Sequence, residues 1–381
     1  MRIGLNLLYL LPGIVGGTEI YAAGLLAGLA QIDGENEYIV FVNRESAVWP
    51  LPDAPNFVRE VCPVRAVSRV RRYFFEQFRL PSMLKKYEID VVHSLGYVGP
   101  LWTPCLAIVT VHDLNYLAIG HTMPLGKRYL RRFFSVQATQ RAMAVITVSS
   151  YSKSVICDEL NIHPNKITVT LEGPRWKDNF ISRDVVCKVK ASYGISGPYL
   201  VAFGGGALHK NIPRLLQAFA ELKKELPHKL VLIGHLPHNV NLGELPEDII
   251  ATGYVPAEHV LPLLSGAEVF VLPSLYEGFG LPVLEAQQAG VPVVCSTAGS
   301  LLEVAGNAAV FFNPYSIADM AEKIAAVASN PALQTELRQK GLANVRRFSW
   351  EQTARETLAV YAQVYETRRQ PRVIGKINRC G

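Results

Sequence analysis

Residues 268–290 read EVFVLPSLYEGFGLPVLEAQQAG. The run EVFVLPS supplies a short strand with an apolar VFVL centre, and Pro282 opens a helical pattern at the place a proline is best tolerated, its first turn. Gly278 and Gly280 free the turn between them. A strand, a glycine turn and a helix in that order put the helix start, at Leu281, beside the carboxyl end of a strand. Its unpaired N–H groups and positive dipole end suit a diphosphate there. Two carboxylates bracket the turn. Glu285, one turn into the helix, is placed to accept both hydroxyls of a ribose, and Glu277, in the loop, to reach a hydroxyl of a sugar. A Glu near a helix start serves equally as a cap or dipole residue.

Outward from this segment the same unit repeats. RIGLNL, YIVFVN, IDVVHS, AIVTVHD, AVITVS and ITVTLEG, each followed by a helical pattern, fill the first half; YLVAFGG, KLVLIG, IIATGYV, EVFVLPS, VPVVCS and AAVFFN fill the second. Such alternation means parallel, doubly wound α/β sheets, and 381 residues is too long for one core. Two domains are expected, 1–187 and 188–348, with a linker at Lys188 to Pro198 and a C-terminal helix and tail over 349–381 that returns to the first domain.

Ligands in open α/β sheets sit beyond the carboxyl ends of strands. Three further candidates lie at such ends. In FGGGALHKNIPRLLQAF, Lys210 follows a glycine-rich strand end, where an ammonium stabilises charge building on a departing phosphate. In AIVTVHDLNYL, His112 ends a strand and Asp113 follows; a buried His is often satisfied by backbone and an Asp often caps a turn. His93 is a weaker neighbour. Gly16 and Gly17, in PGIVGGTEIYAAGLL, form only a partial phosphate fingerprint, since G-x-G-x-x-G spacing is lacking. No Asp-x-Asp pair and no cluster of Cys or His ligands occurs, so neither metal nor cofactor is expected.

Hydrophobic residues make up 49% and charged residues 18%, which excludes disorder. The net charge of +6 is concentrated in Arg65, Arg69, Arg71, Arg72, Arg79, Lys85 and Lys86, and in Lys127, Arg128, Arg131 and Arg132. These clusters suit anionic lipid or a phosphorylated acceptor, or else form solvated helix faces. Without a nucleic-acid motif, nucleic acid is not an expected partner. Six scattered cysteines fit a reduced, cytoplasmic protein. MRIGLNLLYLLPGIVGG reads as strand, turn and helix rather than a signal peptide, and no apolar run is long enough to span a bilayer.

PSLYEGFGLPVLEAQQAGVPVVCS resembles the signature of retaining glycosyltransferases of family 4, with Glu277 and Glu285 as its Glu-x7-Glu pair. AGSLLEVAGNAA and FSWEQTA continue the likeness. The resemblance implies the GT-B fold, two facing Rossmann-like domains with an interdomain cleft, and transfer of a hexose from a nucleotide-diphosphate sugar with retained configuration. It implies His112, Lys210 and Glu277 as catalytic residues. Gly16, Gly17, Asp113, Gly204, His209, Gly278, Phe279, Gly280, Leu281 and Glu285 are implied to bind substrate. Many relatives carry arginine where this chain has Gly204 and His209. His209, an arginine from the other domain or the N–H groups of Gly204 to Gly206 are the expected substitutes. The style of HDLNYL and RLLQAF looks like bacterial mannosyltransferases of polysaccharide assembly, so GDP-mannose is the expected donor, with UDP-glucose, UDP-N-acetylglucosamine and dTDP-rhamnose open. A saccharide or a lipid-pyrophosphate-linked saccharide is the expected acceptor, with peripheral contact at an anionic inner-membrane surface. A two-domain epimerase or phosphorylase, and a non-catalytic nucleotide-sugar sensor, are the alternatives.

Overall fold

A computed structural model describes residues 1–115, 125–176, 181–205, 207–223, 225–236 and 246–369. Gly206, Cys380 and the tail from 370 lie outside the described residues, as do the side chains of Lys127, Arg128 and Arg131.

Two all-parallel sheets organise the chain. The first contains β1 (Arg2–Asn6), β2 (Glu37–Val42), β3 (Phe57–Val61), β4 (Val91–Ser94), β5 (Leu106–Thr110), β6 (Ala144–Thr147) and β7 (Ile167–Val169). Its spatial order is β3-β2-β1-β4-β5-β6-β7. The second contains β8 (Tyr199–Phe203), β9 (Lys229–Ile233), β10 (Ile249–Ala251), β11 (Val269–Leu272), β12 (Val293–Ser296) and β13 (Ala309–Phe312), ordered β10-β9-β8-β11-β12-β13. Strand order reverses between β1 and β4 and between β8 and β11. Those two switch points open the crevices in which a doubly wound sheet receives ligand.

The central strands are buried on both faces, which explains their unbroken aliphatic runs. Strand β3, FVREV, is different: it is an edge strand with charged, partly exposed positions, and its sequence carries no such run. The helix Arg183–Ser192 spans residues 187 and 188 and packs through Val189 into the core of the second sheet. Gly194 and Gly197 then turn the chain into β8 with φ of 66° and 75°.

The helix Trp350–Arg369 lies on the helix Gly17–Ile32 of the first domain. Gly24 and Gly28, one turn apart, form the slot that takes Trp350: a Cβ on Gly24 would lie 2.1 Å from its ring, and one on Gly28 2.3 Å from its carbonyl oxygen. The indole Nε1 donates to Pro174 O at 2.9 Å, pinning the helix start to the crossover between domains. Phe279, Leu281, Leu284 and Phe348 join the core of the first domain, so one apolar cluster runs through both halves.

Among the described residues, no helix is long and apolar enough to cross a membrane. Cys62, Cys105, Cys157, Cys187 and Cys295 are free thiols.

Candidate active site

Carboxyl ends of strands from both sheets converge on the cleft. From the second sheet, the loop after β11 carries Glu277, whose Oε1 lies 2.8 Å from Lys210 Nζ and accepts from Ser274 Oγ at 2.6 Å. Lys210 follows β8, and Asn211, in the left-handed region at φ 57°, fixes the turn between the strand and the next helix. The Asn211 amide donates to Pro273 O at 2.9 Å and Pro314 O at 2.8 Å, tying that turn to the Glu277 loop. Burial would raise the Glu277 carboxyl, but Lys210, Ser274 and His209 outweigh it and hold it below its ordinary value. Burial, reinforced by the Lys210 charge, lowers His209.

Glu285 is buried on the helix Leu281–Gln288, and burial pushes its carboxyl up to about 7. Arg175, reaching in from the crossover, opposes that rise from 3.5 Å. Position 175 is thus an arginine at the cleft that the motifs did not single out. Gly204 donates its N–H to Ile233 O at 2.7 Å, so that group belongs to the sheet and is not free to replace an arginine at a phosphate.

Two helices start at the cleft without a side-chain cap: Gly17–Ile32, entered through Gly16 at φ 61°, and Leu281–Gln288, entered through Gly280 at φ 108°. They meet, since a Cβ on Gly17 would lie 3.6 Å from Leu281 Cδ1. Facing uncapped N-termini sum their positive ends on the space between them. Glu19, in the first turn of the first helix, is committed elsewhere: it accepts from Gly13 N at 2.8 Å and from Trp49 Nε1 at 3.1 Å.

From the first sheet, His112 projects after β5. Its Nε2 lies 3.0 Å from Leu95 O and must donate to that carbonyl, and its Nδ1 lies 3.5 Å from Glu172 Oε1. Tyr21 meets the imidazole edge to face at 4.6 Å. Burial raises the Glu172 carboxyl, with His112 opposing. Asp113 accepts from Asn115 N at 3.1 Å, the turn-capping role its neighbourhood allows.

The domains are in contact at Gly278, where a Cβ would lie 2.7 Å from both Asp113 Cβ and His112 O. Its carbonyl accepts from Ser149 Oγ at 2.6 Å, and the single Ser152 hydroxyl proton is shared between Gly278 O and His112 O, each 2.9 Å from Oγ. Glu303 accepts from Ser150 N at 3.0 Å and Tyr151 N at 3.3 Å, capping the helix Ser150–Leu160 across the domain boundary. The Tyr276 hydroxyl accepts from Leu114 N at 3.2 Å.

Several of the expected residues have buried side chains. The Phe279 side chain is buried against Phe348, with ring centroids 5.9 Å apart, and Leu281 is also core, so their side chains shape the cleft from behind. His93 is fully enclosed. It bonds Tyr361 OH and Thr110 Oγ1, each at 2.7 Å, and burial lowers it to about 3. It is a satisfied core histidine. Arg72 turns inward toward Glu76 at 3.8 Å, and so leaves the exposed basic face to its neighbours. No group of three His, Cys, Asp or Glu side chains converges as a metal site among the described residues.

Residues 15–173 match the family described as Glycosyltransferase Family 4, and residues 190–344 match Glycosyl transferases group 1. The O-antigen chain mannosyltransferase B of Escherichia coli is 32% identical over 296 residues, covering 73% of this chain and 75% of that one. Sucrose-phosphate synthase of Thermosynechococcus elongatus superposes with a TM-score of 0.74 at 19% identity, over 96% of this chain and all (100%) of that one. Anabaena HepE in complex with UDP and glucose superposes at 0.72 with 16% identity, over 95% and 100%.

Proposed function

The chain belongs to glycosyltransferase family 4, and from that premise we propose that it transfers mannose from GDP-mannose to a growing cell-surface saccharide with retention of configuration. Its being a glycosyltransferase follows from the family. Mannose and the polysaccharide setting are our reading, supported by the likeness to an O-antigen mannosyltransferase at 32% identity.

One observation carries the mechanism: two uncapped helix N-termini, one from each domain, meet at Gly17 and Leu281, with the Lys210 ammonium held nearby on Glu277. The donor diphosphate lies against these N-termini, Glu285 accepts the ribose hydroxyls and Glu277 a hydroxyl of the sugar. As the bond between the anomeric carbon and the diphosphate oxygen breaks, charge grows on that oxygen, and Lys210 and the helix dipoles stabilise it. The acceptor hydroxyl attacks from the face the diphosphate leaves. Its proton passes to the departing phosphate, so no enzyme nucleophile is required. His112 lies against the sugar near its reacting carbon. Arg175 supplies cationic charge near the nucleotide in place of the arginine that Gly204 lacks. We read the transfer as metal-independent because the sequence has no Asp-x-Asp pair and the positive groups named here meet the diphosphate.

The deciding experiment incubates purified protein with a panel of nucleotide sugars and a lipid-linked saccharide acceptor, following transfer and the product's anomeric configuration by NMR. Transfer of mannose with retention is expected, undiminished by a chelator. Tight nucleotide-sugar binding with neither transfer nor hydrolysis for any donor would replace the enzyme with a sensor.

A further inference from the structure

At the outer rim of the first domain, Arg44, Arg65, Arg71 and Arg79 line a cavity of about 470 Å³ together with Phe74 and Phe75. All four arginines are exposed, and none of their guanidinium groups has a carboxylate or hydrogen-bond partner among the described residues. The nearby carboxylates are engaged elsewhere: Glu45 accepts from Ala66 N and Glu60 from the Tyr87 hydroxyl. Cations gathered in one cavity without counter-charge repel one another, and their planar forks match phosphate oxygens two at a time. The unmet need of this pocket is an anion with several oxygens.

The position and surroundings say which anion. Arg44 and Arg65 follow the carboxyl ends of β2 and β3, on the same rim as the Gly13 to Gly17 loop that follows β1. Neighbouring strands are about 4.8 Å apart, so the pocket stands roughly 5–10 Å along the rim from that loop, a span comparable to a sugar residue. Val70, Phe74 and Phe78 repeat every fourth residue along the helix Arg69–Phe78 and are exposed, Phe74 and Phe78 at 63% each. An apolar stripe beside a polycationic pocket matches a molecule with a phosphate at one end of a hydrocarbon.

We propose that this pocket holds the phosphate or pyrophosphate of a lipid-linked acceptor, the apolar stripe taking the adjoining lipid while the acceptor sugar reaches the cleft. The inference rests on the transferase reading above and assigns the acceptor's anchor to named residues.

Vesicle flotation of the full chain tests it. Three vesicle types are compared: phosphatidylcholine alone, phosphatidylcholine doped with a polyprenyl diphosphate, and phosphatidylcholine with phosphatidylglycerol at matched charge. Preferential capture by the diphosphate vesicles is expected, competed by inorganic pyrophosphate and weakened about tenfold or more in Arg65→Gln/Arg79→Gln. The remote pair Arg183→Gln/Lys188→Gln, which removes the same charge, should leave capture intact. Equal capture by phosphatidylglycerol vesicles, or an equal loss in the remote pair, would reduce the pocket to general surface charge and overturn the proposal. Thermal shift of the wild type with nucleotide sugars separates the two readings. Donor binding without diphosphate capture removes this anchor alone, and loss of donor binding removes the transferase reading.

Discussion

The ammonium of Lys210 lies 2.8 Å from Oε1 of Glu277, so the cation we propose for a leaving phosphate is held by the carboxylate we propose for the sugar. A bound donor diphosphate gives that ammonium a second anion, and its pull on Lys210 strengthens as the bond to the sugar breaks. Lys210→Ala should therefore lower kcat about a hundredfold with a much smaller change in donor KM. It should also leave Glu277 buried without its cation. The stability cost stays below the about 3–5 kcal/mol of a fully enclosed pair, because the Lys210 side chain keeps 23% of its surface exposed. Adding Glu277→Gln should restore Tm without restoring turnover. Recovery of both in the double variant would mean that Lys210 acts only as a structural counter-ion.

Glu285 gives a pH signature. Burial lifts its carboxyl from an ordinary 4.5 to about 7 in the folded protein. Because the folded value is the higher one, this group weakens folding as pH rises from 4.5 toward 7. The ribose recognition we propose for it has the opposite preference, since only the ionised carboxylate accepts from both hydroxyls. Nucleotide affinity should fall about tenfold per pH unit below 7, measured by calorimetry, and Glu285→Gln should bind weakly with that dependence removed. An unchanged slope in Glu285→Gln would assign the titration to another group.

Gly278 and Gly280 look alike in the turn but are glycines for different reasons. A Cβ at 278 would press on His112 O and Asp113 of the opposite domain at 2.7 Å, whereas Gly280 sits at φ 108° within its own domain. Gly278→Ala should keep Tm near wild type and lower kcat/KM, with the domains held apart in solution scattering. Gly280→Ala should cost about 1 kcal/mol or more of stability, because a side chain is strained at that φ. A Gly278→Ala enzyme of full activity would show that turnover does not need the domains this close.

The contrast marks what a sequence makes legible. Both sheets were readable because their central strands are buried on both faces and so write continuous aliphatic runs, such as VFVL at 269–272. The exception is β3, whose edge position lets FVREV keep its charges. Lys210 and Glu277 were each readable from their strand ends, and the structure pairs them because β8 and β11 are neighbours at a switch point. Residues that act across the domain boundary left no such mark. Ser149, Ser152 and Glu303 have ordinary helix-start sequences, and their partners lie more than a hundred positions away. Arg175 and Glu172, in LEGPR, carry only charge and a neighbouring glycine as a clue. His93 misled because a strand-end histidine looks the same whether it faces a cleft or Tyr361.

Glu172 holds His112 in place from the crossover between the domains. Nε2 donates to Leu95 O and Nδ1 faces Glu172 Oε1 at 3.5 Å, so the two contacts together fix the plane of the imidazole. Burial raises the Glu172 carboxyl, with His112 opposing. Glu172→Gln keeps a polar partner facing Nδ1, so it should retain most of the turnover. Glu172→Ala removes the partner and frees the ring to tilt, and should lower kcat roughly 10- to 100-fold, the usual effect of deleting a residue that orients a functional histidine. Donor KM should change little in either variant, which distinguishes a positioning residue from a binding one. If Glu172→Gln loses as much activity as Glu172→Ala, the carboxylate charge itself is needed beside the sugar, and the positioning account fails.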